Sequence, residues 1–206
     1  MQAITDLIMY FHKGGLVMWP LLACSITVIA IAIERFIYYK GADSGAAFAA
    51  SYCATVRGRD IAAATELARK ADGACAQLLA DAVENSGSKE ELSAFLESRA
   101  GIFMATLRDK LDYLGIIVTM SPLLGLLGTI VGMIGAFSIF NVEAGAPLAI
   151  TGGIGEALIA TATGLCVAIM SLCAHAYFAH RMDNMITDME QCFSALLEAE
   201  TRRARA

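Results

Sequence analysis

The stretch AGAPLAITGGIGEALIATATGLCVAIMSLCAHAYFAH, from Ala144 to His180, is 37 residues long and holds one fully charged side chain, Glu156. An α-helix needs ~20 apolar residues to cross the hydrocarbon core, so this stretch spans a bilayer with a carboxylate inside it. An acid at the centre of a membrane helix costs roughly 3 kcal/mol, and such groups usually face a water-filled path or a partner and mark ion or proton movement. The string Gly155-Glu156-Ala157-Leu158-Ile159-Ala160-Thr161-Ala162-Thr163-Gly164 adds two hydroxyls just inward of the carboxylate. A Glu at a helix end, reaching back to the interface, is the plainer reading of the same residue.

The rest of the chain has the same character. Of its 206 residues 57% are hydrophobic and only 17% charged, and the mean hydropathy is +0.61, too apolar for an ordinary soluble domain. Further uncharged runs lie at Gly14 to Ile33 and Tyr113 to Val142, so three transmembrane helices are expected. The first run is followed by Glu34 and Arg35, not by a small-residue cleavage site, and lacks a basic segment before it; it reads as a retained anchor. The six cysteines, Cys24, Cys53, Cys75, Cys166, Cys173 and Cys192, form no C-x-x-C pair and read as reduced packing residues. Neither a metal nor a cofactor is expected.

Basic residues set the orientation. Lys13 alone precedes the first span, the segment between spans one and two is rich in Lys and Arg, and Arg181, Arg202, Arg203 and Arg205 follow span three. The hairpin Asn141 to Pro147 has none. Cytoplasmic segments carry the Lys/Arg excess, which predicts a periplasmic N-terminus and hairpin and a cytoplasmic middle segment and C-terminus.

The expected organisation is an outer-face amphipathic helix over 1–13, a first transmembrane helix over 14–40, a cytoplasmic helical region over 41–112 and a second transmembrane helix over 113–142. A periplasmic hairpin and third transmembrane helix follow over 143–180, then a cytoplasmic helix and tail over 181–206. Ile4, Leu7, Ile8 and Phe11 repeat at i, i+3, i+4, i+7 and give the first helix one apolar face. His12 and Lys13 end it before Gly14-Gly15, and Trp19-Pro20 sits near the interface. Punctuation at Gly58-Arg59-Asp60, Asp72-Gly73 and Ser86-Gly87-Ser88 divides the middle region into three short helices and a long one. Asp60 is placed to N-cap a helix from Ile61, and Ser88 with Glu91 makes a capping box. An unbroken helix from Lys89 to Phe140 would measure ~78 Å, so helix two should project far into the cytoplasm. Helix three should do the same, with Met182, Met185, Met189, Phe193 and Leu196 as an apolar stripe packing on the cytoplasmic helices. No strand alternation, phosphate loop, nucleophile elbow, metal-ligand spacing or basic nucleic-acid patch appears, so nothing supports an enzyme or a nucleic-acid partner.

Within span two, Gly128 and Gly132 are four apart and Ala136 extends the small stripe, a face that lets another helix approach closely. Thr129 is either a pore hydroxyl or a hydroxyl bonded to its own helix backbone. In span three, Ala160, Thr163, Val167 and Ala174 lie near Glu156 in angle, whereas Thr161 is about 140° away at ~100° per residue. Both threonines stay candidates. Gly164 joins the packing residues.

Gly-Leu-Leu-Gly-Thr-Ile-Val-Gly-Met in span two, Gly-Glu-Ala-Leu-Ile-Ala-Thr-Ala-Thr-Gly-Leu in span three and Gly-Gly-Leu-Val-Met-Trp-Pro-Leu at span one together resemble the MotA/TolQ/ExbB proton channel family. Three spans and a large first cytoplasmic loop look like its ExbB/TolQ branch. The resemblance implies an all-α cyclic homopentamer in the bacterial inner membrane whose central pore, lined by helices two and three, holds the helices of an ExbD/TolR-like single-span protein. Proton flow would drive rotation, and a TonB- or TolA-like protein would carry the work to the outer membrane. By motif, the family's pore threonine falls on Thr129, its carboxylate on Glu156 and its third-span threonine on Thr161. The Gly152-Gly153-x-Gly155 run departs from the family pattern and loosens the start of helix three. An ExbB-type stator subunit is the first expectation, a TolQ-type subunit of an envelope-maintenance motor the second, and a non-conducting membrane scaffold the reading from a different class.

Overall fold

The computed structural model describes Phe11 and residues 14–85, 88–142 and 147–203. The outer-face helix over 1–13 lies outside the described residues apart from Phe11, as do the hairpin residues 143–146. Seven helices are described: α1 (Met18–Ala42), α2 (Ala46–Arg57), α3 (Ile61–Lys70), α4 (Ala74–Asn85), α5 (Lys89–Arg108), α6 (Leu111–Val142) and α7 (Pro147–Arg203). Three stretches are long and apolar enough to cross a membrane, in α1, in α5–α6 and in α7. The fold is all-helical among the described residues.

Two compact units share these helices, one of residues 1–33 and 110–176, the other of residues 34–109 and 177–206. The first is the membrane unit, formed by the head of α1, by α6 and by the first half of α7. Here α6 and α7 approach backbone to backbone. A Cβ built on Gly164 would stand 2.6 Å from the Ser121 carbonyl oxygen, one on Gly128 2.5 Å from Ala160 Cβ, and one on Gly132 3.0 Å from the Gly153 carbonyl oxygen. On the facing helix, Gly153 meets Ala136 Cβ at 2.5 Å by the same measure. Hydrocarbon surroundings offer no hydrophobic drive between helices, so such contacts and interhelical hydrogen bonds must hold them. Among the described residues, Thr161 Oγ1 donates to the Gly125 carbonyl at 3.0 Å and Ser171 Oγ to the Leu114 carbonyl at 2.9 Å.

The second unit is a helical bundle whose core holds large side chains. Tyr39, Tyr52, Leu79, Leu96, Leu107, Met189 and Leu196 are fully buried. The stripe Met182, Met185, Met189, Phe193 and Leu196 of α7 is buried throughout. Asp60 caps α3 by accepting from the Ala63 N–H at 2.8 Å, and the Ser88/Glu91 capping box opens α5 with both bonds at 3.2 Å. Cys53, Cys75 and Cys192 are buried free thiols here, while Cys166 and Cys173 are exposed on α7.

The expected unbroken helix from Lys89 to Phe140 is interrupted. Its α5 segment ends at Arg108, Asp109 takes an extended ψ of 139°, and Lys110 turns into the left-handed region at φ 66° before α6 begins. Tertiary contacts explain why the chain stops there without Pro or Gly. The carbonyls freed at the end of α5 need donors. Arg35 Nη1, on a side chain only 3% exposed, donates to the Thr106 carbonyl at 2.9 Å and to the Asp109 carbonyl at 3.0 Å. Tyr39 Oη donates to the Leu107 carbonyl at 2.6 Å. Glu34 completes the cluster by accepting from the same guanidinium at 2.6 and 2.8 Å.

Candidate functional site

Glu156 sits in the third turn of α7, half-buried, on a helix that presents small residues to its neighbours. Ala157 and Ala160 beside it are buried because Gly132 and Gly128 of α6 leave room for them. The carboxylate itself meets the first span. Gly14-Gly15 form a turn before α1, and the side of the Gly15 Cα where a side chain would stand is filled by Glu156 Oε1, with Glu156 Cδ at 2.8 Å and Cγ at 3.4 Å from that position. Gly15 has φ +72°, a conformation that residues with a side chain adopt only under strain.

The three candidate threonines do different things. Thr161 Oγ1 donates across the seam to the Gly125 carbonyl. Thr129 Oγ1 donates to the Leu126 carbonyl of its own helix at 2.6 Å, and Thr163 Oγ1 to the Ile159 carbonyl of its own helix at 2.8 Å. With each hydroxyl proton placed on a carbonyl, none of the three donates to Glu156. The helical wheel accounts for the split, since Thr161 lies far round from Glu156 and faces α6 while Glu156 faces the turn. Of the residues near Glu156 in angle, Ala160 and Val167 are buried, and Thr163 and Ala174 are half-buried. Ser121 is fully buried in the same seam, its Oγ without a hydrogen-bond partner among the described residues.

Sequence reasoning did not foresee the Gly15 contact or the buried Arg35. For Gly15 the signal was the Gly14-Gly15 pair, read only as a helix stop. For Arg35 it was a neighbouring pair of opposite charges, Glu34-Arg35, closing an apolar run.

The outer faces of the membrane unit are apolar. Leu123, Leu126, Ile130, Ile134 and Phe137 of α6 and Leu158, Leu165 and Ile169 of α7 are exposed, surface suited to lipid or to further helices.

Residues 68–191 match the pattern of the MotA/TolQ/ExbB proton channel family. Among curated relatives, the putative biopolymer transport protein ExbB-like 1 of Synechocystis sp. is 34% identical over 168 residues, 79% of this chain and 66% of that protein. A second Synechocystis protein, the putative biopolymer transport protein ExbB-like 3, is 33% identical over 77% of this chain and 78% of its own length. The biopolymer transport protein ExbB of Salmonella typhimurium is 29% identical over 58% of this chain and 49% of its own. The chain thus spans about two thirds of the first relative and about half of the Salmonella protein.

Proposed function

The chain belongs to the MotA/TolQ/ExbB proton channel family, and from that premise we propose that it is the ion-conducting subunit of an ExbB-type inner-membrane motor. The observation that carries the reading is Glu156, the single carboxylate of an otherwise uncharged 37-residue stretch, set among protein contacts on a membrane helix. A lone acid there is retained at a cost that only a use for its charge or proton offsets. Glu156 would guide cations to the carboxylate of an ExbD/TolR-like single-span partner, with Thr129, Thr161 and Thr163 lining the path once that partner supplies its own acceptors. The exposed apolar faces of α6 and α7 are the surfaces on which copies would close into a ring, five-fold by family likeness. A TonB- or TolA-like protein would receive the work, with the N-terminus periplasmic and the C-terminus cytoplasmic.

The test is Glu156→Gln, which keeps the side chain's size and removes its charge and exchangeable acid. Energised uptake across the outer membrane should be abolished while the complex with the single-span partner still forms. Wild-type uptake at normal protein level would reduce Glu156 to a structural group. If uptake is unaffected by loss of the chain but outer-membrane integrity fails, the TolQ-type role is the correct branch. A scaffold reading draws on the three threonine hydroxyls, all turned to backbone carbonyls. It requires that Glu156→Ala leave ion conductance unchanged.

A further inference from the structure

We propose that the Gly14-Gly15 turn at the head of α1 is the positioning element for the Glu156 carboxylate, with Gly15 the residue that fixes where the carboxylate stands. Its bearing on ion movement rests on the function proposed above; the contact itself does not.

Two independent demands meet at Gly15. Its φ of +72° lies where an L side chain is strained, and the space a Cβ would take already holds Glu156 Oε1 and, at 2.8 Å, Cδ. The bare Cα therefore lies directly on the carboxylate, an approach of the Cα–H to oxygen kind that no residue with a side chain permits. Gly14 extends the same surface along α7. A Cβ there would stand 3.2 Å from Ile159 Cγ2, one helical turn beyond Glu156, and 2.6 Å from the flexible end of Met18.

The turn is anchored to α1 and α6. The Gly15 carbonyl accepts from the Met18 N–H at 3.2 Å, which starts α1. Val17, Met18 and Leu21 are buried, with the half-buried Phe11 and Leu124 packed against them, and Phe11 meets Trp19 edge-on at 5.1 Å between ring centroids. A backbone turn held from both sides presses on one flank of the carboxylate and leaves Glu156 a restricted choice of rotamers. Gly45 gives the useful contrast: its φ is +82°, yet nothing lies within 4 Å of a Cβ built on it. There glycine answers to conformation alone.

The experiment is labelling of the full chain in membrane vesicles with a hydrophobic carbodiimide, which adds across its C=N bond to a protonated carboxyl, read as the mass of the peptide carrying residue 156. Gly15→Ala should raise labelling of Glu156 several-fold, because the new methyl displaces the carboxylate from its cover. Gly14→Ala, which crowds only Met18 and Ile159, and Gly45→Ala, which imposes the same backbone strain elsewhere, should leave it at the wild-type rate. Glu156→Asp draws the carboxylate back from the turn by one methylene, so it should raise labelling without touching α1, and adding Gly15→Ala to it should change nothing further. Wild-type labelling in Gly15→Ala, or an equal rise in Gly45→Ala, overturns the proposal. Should Gly15→Ala fail to reach the membrane, unchanged labelling of Glu156→Asp overturns it instead. Labelling needs no ion flow: normal uptake in Glu156→Gln with raised labelling in Gly15→Ala would remove the ion-path reading and keep the positioning role.

Discussion

The seam between α6 and α7 closes on glycine and alanine, whereas the unit of residues 34–109 and 177–206 also buries large tyrosine, leucine and methionine side chains among its alanines. The difference follows from the solvent each part meets. In water, burying an apolar side chain contributes roughly 1.5–3 kcal/mol, so large residues collect in the interior. Within hydrocarbon that gain vanishes, because a lipid tail is as apolar as a leucine, and what remains is close packing and hydrogen bonds. Small residues are then the valuable ones. Leu126, Ile130 and Leu165 stay outside while Gly128, Gly132 and Gly164 occupy the contact, the reverse of the order in the other unit.

Substitutions in the two units should therefore differ in sign as well as size. Met189→Ala empties a fully buried position of the second unit and should cost about 2–5 kcal/mol, seen as a lower unfolding midpoint of the full chain in mild detergent. Gly164→Ala adds one methyl against the Ser121 carbonyl oxygen, where backbone must yield, and should cost about 1–3 kcal/mol by the same measurement. Gly101→Ala is the mirror case: α5 leaves open space around Gly101, so the change should stabilise by about 1 kcal/mol through helix propensity. A destabilised Gly101→Ala or a neutral Gly164→Ala would break the contrast. Thr161→Val keeps the shape and removes the bond to the Gly125 carbonyl, an expected loss of ~0.6 kcal/mol.

Local signals in the sequence were readable where local physics decides. Asp60 and the Ser88/Glu91 box name their helix starts because the bonds join residues three apart. The stripe from Met182 to Leu196 announces its burial by period. Glu156 stands out from its apolar setting by charge alone. What pattern could not show depends on residues far apart in the chain. The stop at Asp109-Lys110 has no Gly or Pro to mark it and relies on Arg35 and Tyr39 supplying donors from α1. The meeting of Gly15 with Glu156 likewise has no trace in either segment read by itself. Thr161 sat on the wheel where it could face either a pore or a neighbour, and its bond to the Gly125 carbonyl depends on the approach of α6, which no local pattern records.

Arg35 also sets an order of events during synthesis. Its guanidinium closes the end of a helix whose carbonyls lie 71 and 74 residues later in the chain, so when the first span emerges those acceptors do not yet exist. Until they are made, the carboxylate of the adjacent Glu34 is a partner of this guanidinium that is already synthesised. The side chain thus becomes a clasp only late, and the nascent chain cannot fasten α5 to α1 until Asp109 has been made.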